Sequence, residues 1–144
     1  MRYIDGTDRN QIIFFPDRVD DYISEDNPIR VLDEFVAVLD IKELGFTKAV
    51  PADTGRLAYN PKDLLKLYLY GYINRIRSSR KLETETGRNL ELMWLLGKLK
   101  PDFKTISDFR KDHKKAIKKV FQHFTLLCKQ WNLFGEELIA VDGS

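Results

Sequence analysis

Residues 98–119 hold nine Lys/Arg against three Asp/Glu. If this stretch is helical, Lys111, Lys114, Lys115, Lys118 and Lys119 share an arc of roughly 140° at 100° per residue. Lysines on one helix face neutralise phosphates and release counterions, which supplies affinity for nucleic acid without reading its sequence. A second cluster lies in "NRIRSSRKLE", with Arg75, Arg77, Arg80 and Lys81 around Ser78 and Ser79. Guanidinium groups suit bidentate contact with phosphate or guanine, and serine hydroxyls reach backbone phosphates. Both clusters also have a plain structural reading. Lysines often form the solvated side of an amphipathic helix, and basic residues near a helix C-terminus complement its dipole.

Other residue types offer less. His113, His123 and Cys128 stand ten and five residues apart, and neither spacing places two ligands at i and i+4 for a metal. The chain has no glycine-rich phosphate loop, nucleophile elbow or zinc pattern. Asp142 follows the apolar run Leu138–Val141 in "EELIAVDGS". A carboxylate at a strand end is a common metal ligand, but two-metal phosphoryl transfer needs several carboxylates around the ions.

The chain that must position these groups has 144 residues, 43 % hydrophobic and 32 % charged, in the range of a globular protein of one domain. Nine Phe, six Tyr and two Trp provide core material. One cysteine excludes an internal disulfide framework and fits a reducing compartment. No apolar stretch approaches a membrane span and "MRYIDGTDRN" has no signal-peptide core, so a cytosolic protein is expected. The net charge of +2 conceals an acidic front and a basic back. Residues 1–53 carry six basic and twelve acidic residues, and residues 54–144 carry eighteen and ten. That asymmetry suggests a polyanion partner for the second part.

The periodicity is helical. "QIIFF" reads as a short strand or packed arm ended by Pro16. Asn27 and Pro28 open a helix with Ile29, Leu32, Phe35, Val36 and Leu39 on one side. Asn60 and Pro61 open a second, whose Leu64, Leu65, Tyr68, Leu69, Tyr72, Ile73 and Ile76 span about 180°, the breadth of a central bundle helix. This helix is expected to run on into the arginine cluster, with Gly71 inside it marking close approach by another helix. A short helix over 89–96 closes at Gly97 and Pro101. A long helix then runs from Thr105, with Asp108 completing a capping box, to Trp131. Short helix, turn and basic helix resemble a loose helix-turn-helix, whose second helix would offer Lys104, Thr105, Ser107, Arg110 and Lys111 to DNA. The connection "GKLKPDFK" is about twice the usual three or four residues.

Three stretches carry a family likeness: "YNPKDLLKLYLYGYINRIRSSRKLETET", "RNLELMWLLGKLKPDFKTISDFRK" and "ELIAVDGS". From about residue 12 onward the chain resembles bacterial insertion-sequence transposases, in particular those opening with the InsH-type N-terminal domain. The resemblance implies a role in DNA transposition. It implies a helical region that helps recognise terminal inverted repeats, followed by a ribonuclease H-like domain whose Asp-Asp-Glu triad binds magnesium. Asp142 matches the first acid of that triad and would be a metal ligand only in a complete catalytic domain.

The expected fold is therefore mainly α. A helical bundle with helix-turn-helix-like elements would fill residues 1–135, and residues 136–144 would be the first strand of a catalytic domain otherwise absent. The 144-residue chain is expected to be inactive alone. The expected function is binding of double-stranded DNA at element ends by Arg75, Arg77, Arg80, Lys81, Lys104, Thr105, Ser107, Arg110, Lys111, Lys114, Lys115 and Lys118. Such a protein would work at the bacterial nucleoid. The alternative is a self-association module, suggested by Trp94, Trp131 and Phe134, which exceed one small bundle's apolar needs.

Overall fold

The second of the expected helices organises the molecule. A computed structural model describes residues 3–12, 18–46 and 58–134. They contain a 3₁₀ turn at Val19–Tyr22 and six α-helices: α1 Ile29–Ala37, α2 Pro61–Asn74, α3 Ser79–Thr86, α4 Leu90–Leu95, α5 Phe103–Asp112 and α6 Lys114–Trp131. The described residues are thus mainly α. The expected terminal strand and Asp142 lie outside them, as do residues 13–15 of the "QIIFF" stretch and the Pro16 expected to end it.

Asn60 starts α2 as expected. Its side-chain oxygen accepts the Lys62 N–H at 2.9 Å, and Pro61 fills the first helical position, where no donor is needed. Leu64, Leu65, Leu67, Tyr68, Leu69 and Tyr70 are all buried, so α2 is covered almost all round its middle. Each fully buried leucine contributes about 1.5–3 kcal/mol. Helix α1 packs on one side of α2 and α4 on another. Asn27 opens α1, accepting the Ile29 N–H at 2.9 Å, although the regular helix begins one residue later than Pro28.

Helix α2 stops earlier than its apolar stripe suggests. Arg75 adopts the left-handed conformation (φ 59°, ψ 34°), and the Ile76 N–H returns to the Gly71 carbonyl at 2.8 Å. The chain then folds back on α2, and Ser78 caps the separate helix α3. A Cβ on Gly71 would sit 2.6 Å from the Ile76 carbonyl oxygen and 3.0 Å from a Leu82 methyl. The close approach expected at Gly71 is therefore made by α3 and by the chain entering it.

The long basic helix is also two helices. His113 (φ −131°, ψ 32°) separates α5 from α6. Its Nδ1 donates to the Phe109 carbonyl at 2.9 Å, and its buried ring lies 4.8 Å from the Phe109 ring and 5.3 Å from Phe46. The interruption is one residue long: α5 ends at Asp112 and α6 begins at Lys114. The cap of α5 is Asp102, which accepts the Thr105 N–H at 3.2 Å, rather than a Thr105–Asp108 box.

The helix-turn-helix expectation shifts as well. The three-residue turn Gly87-Arg88-Asn89 joins α3 to α4, whereas seven residues separate α4 from α5. Gly97 and Lys98 both take left-handed conformations (φ 56° and 67°) and turn the chain away from α4. Helix α5 consequently packs chiefly on α3. Glu83 of α3 accepts the Phe103 N–H, giving the α5 N-terminus a second carboxylate cap.

Polar ties hold the acidic front in place. Arg30 donates to Asp20 Oδ1 at 2.8 Å and lies over the Trp94 ring at 5.0 Å. The Trp94 indole N–H donates to the same Asp20 oxygen at 2.8 Å. These bonds, Trp94 first, hold the Asp20 carboxyl below its ordinary range. Glu91 on α4 accepts from Tyr70 at 2.9 Å and from Asn27 at 3.1 Å, joining α4 to α2 and to the start of α1. Among the described residues no helix is long and apolar enough to cross a membrane.

Candidate nucleic-acid interface

The early end of α2 decides where the arginine cluster goes. Arg75 and Arg77 sit in the α2–α3 connection instead of on a helix face. Arg110 of α5 joins them around a cavity of about 250 Å³ whose apolar lining includes Tyr72, Ile117 and Phe121. Among the described residues, none of these three guanidiniums has a carboxylate within ion-pair distance. The contrast with Arg30 and Arg88, both paired, is direct. Unpaired guanidiniums gathered at a concavity create a local positive potential with donors free for an anion.

Tyr68 and Tyr72 complete the inner wall. The Tyr68 hydroxyl donates to the Ile106 carbonyl, tying α2 to α5 beneath the arginines. Burial pushes the Tyr68 phenol up, while Ser79 and the Arg110 guanidinium pull it the other way. Tyr72 meets Phe121 with ring centroids 4.6 Å apart at 37°. Both tyrosines belong to the apolar stripe of α2, which by itself foretells a packed face and not a cavity. Tyr72 lies in the last turn of α2, where the stripe meets the arginines, and that juncture was the available signal.

Eleven of the twelve expected contact residues are exposed, and Thr105 is half-buried. They do not form one surface. Around α6, Lys114 and Lys118 fall within about 20° and 60° of Phe121, on the cavity side, while Lys115 is turned about 120° away. Around α5, Ser107 lies about 60° from Arg110, Lys104 and Lys111 point outward, and Thr105 lies on the opposite flank. Arg80 stacks over the Phe103 ring at 4.1 Å, beside the N-terminus of α5. Lys81 falls about 160° from Glu83 around α3, away from α5. The structure thus brings Arg75, Arg77 and Arg110 to one concavity; by helical spacing Lys114 and Lys118 fall on the Phe121 side of α6, and Lys81, Thr105 and Lys115 stand apart.

Of the two histidines, His113 is core and His123 is exposed. Cys128 is buried, and burial pushes its thiol up to about 11. No group of three His, Cys, Asp or Glu able to hold a metal ion occurs among the described residues.

Comparison with known families decides the wider setting of this interface. Residues 17–112 match the family model described as Transposase domain (DUF772), which covers well over half of the chain. The chain belongs to this transposase-domain family. Its role is transposase-related, as the sequence stretches quoted above imply. The match ends at Asp112, the last residue of α5, so the family domain takes in the arginine cavity's α2 and α5 walls, whereas Lys114 and Lys118 lie beyond it. None of the curated proteins or solved structures compared with the chain matches it.

Proposed function

We propose that this transposase domain binds double-stranded DNA, gripping the terminal inverted repeats of its element. The observation that carries the reading is the convergence at one concavity of Arg75, Arg77 and Arg110, guanidiniums with no carboxylate partner among the described residues; Lys114 and Lys118 fall on the Phe121 side of α6 by helical spacing. Lysines and arginines placed this way neutralise successive phosphates, and affinity falls steeply with salt. Ser107 adds a hydroxyl for backbone contact. Magnesium and Asp142 belong, in this reading, to the catalytic domain of a full-length parent acting at the bacterial nucleoid. The test is a fluorescence-anisotropy titration at two salt concentrations against a duplex carrying the element's terminal repeat and a scrambled control. Salt-sensitive binding with preference for the repeat is expected. Absence of binding at low salt would remove the proposal.

A second reading, self-association, has its own observation. Val31, Phe35 and Val38 of α1 and Leu126, Leu127 and Trp131 of α6 flank an apolar groove. Val38, Leu126 and Trp131 are 79, 56 and 62 % exposed. Two copies presenting this face to each other would bury it in an isologous contact. Trp94 and Phe134, expected to serve the same purpose, are instead packed within the chain. Light scattering across a concentration series without DNA separates the readings: a mass that stays monomeric removes the second.

A further inference from the structure

The cavity beneath the arginines is more than a phosphate grip requires. Phosphates need only the guanidiniums, which could stand on a flat helix face. Here they rim a concavity floored by Tyr72, Phe121 and Ile117, with two aromatic rings in contact at 4.6 Å. Gly71 helps to shape this space, because the chain from Arg75 onward crosses α2 where a side chain would obstruct it. A positive rim over an aromatic and aliphatic floor matches a nucleotide, anionic on one side and a flat apolar ring on the other. In a paired duplex the bases are stacked and unavailable to such a floor. Resting on the DNA-binding reading above, we propose that the cavity holds one unpaired, unstacked nucleotide of the DNA. Its base lies on Tyr72 and Phe121, and its flanking phosphates are held by Arg75, Arg77 and Arg110.

Recognition of this kind is tolerant of base identity, since every base has a π-face and the floor residues named here have no means of reading base edges apart from the tyrosine hydroxyl. It favours sites where unstacking costs least, such as a bulge, a mismatch or a frayed end.

The experiment compares three DNAs of one length and sequence with the whole 144-residue chain: a fully paired duplex, the same duplex with a single-nucleotide bulge, and a bulge carrying 2-aminopurine. Aromatic stacking of one base corresponds to about tenfold tighter binding of the bulged DNA. The 2-aminopurine fluorescence should change on binding. Tyr72→Leu and Phe121→Leu should abolish the tenfold preference of bulged over paired DNA and the fluorescence change. Equal affinity for paired and bulged DNA, with unchanged 2-aminopurine signal, overturns this inference and leaves duplex binding standing. Failure to bind any of the three overturns both. The wild-type comparison decides the matter even if a variant fails to fold.

Discussion

Arg75 is held in a conformation that suits glycine, at φ 59°. The left-handed region costs a non-glycine residue about 1–2 kcal/mol, and it commonly closes a helix with Gly. An arginine here sacrifices stability to place a guanidinium at the cavity rim. Arg75→Gly should therefore stabilise the fold by about 1 kcal/mol, less what glycine loses in unfolded-chain entropy, and weaken DNA binding. Urea denaturation and anisotropy on one preparation check both signs; a variant that loses stability would contradict the strain argument. Gly71 makes the converse case. An added Cβ meets a backbone carbonyl at 2.6 Å, which cannot swing aside as a side chain would. Gly71→Ala should cost about 1–3 kcal/mol in denaturant unfolding despite alanine's better helix propensity. These two residues were legible in different degrees. An interior glycine announces a close approach, whereas nothing in the sequence marks Arg75 as a left-handed terminus.

The junction of α3 and α5 is the element that orients the arginines. Glu83 and Asp102 both accept from the first turn of α5, and Arg80 lies over Phe103 at the same end. Removing one cap acceptor costs about 0.5–2 kcal/mol. Glu83→Ala should lower the unfolding midpoint accordingly and also weaken DNA binding, because α5 carries Arg110. Thermal unfolding followed by circular dichroism, paired with a titration, checks the coupling. Affinity unchanged in a destabilised variant would show that the α3–α5 joint does not set the interface. Sequence periodicity placed the apolar faces on both sides of His113 correctly but ran the two helices together. A helical wheel cannot see that the His113 imidazole packs beside the stacked rings of Phe46 and Phe109 where the two helices part.

Across the whole molecule, part of the acidic front is spent on ties to the chain that follows it. Asp20 is consumed in fastening the N-terminal turn to Arg30 and Trp94, and Asp33 pairs with Lys66 at 2.7 Å. The cavity arginines have no such partners among the described residues. Sorting the lysines by position yields a test that net charge alone does not. Replacing Lys114 and Lys118 with Gln should reduce the salt slope of duplex binding by about 2, close to 0.9 for each lost phosphate contact. The same exchange at Lys81 and Lys115 should leave it nearly unchanged. An equal effect of the two pairs would mean that only overall charge matters.

Helical character among the described residues, the starts of α1, α2 and α4, the central place of α2 and the family are all legible in the residues. Those follow from local rules: apolar spacing at the helical period, Asn or Asp before a first turn, and contiguous motif stretches. Tertiary packing sets the end of α2 at Asn74, the lean of α5 on α3 instead of a tight pair with α4, and the meeting of three of the twelve candidates, Arg75, Arg77 and Arg110, at one concavity. Each of those depends on contacts between residues far apart along the chain, such as the Tyr68 hydroxyl on the Ile106 carbonyl and Glu83 on the Phe103 amide. A hydrogen bond spanning 38 residues leaves no periodic trace in the sequence.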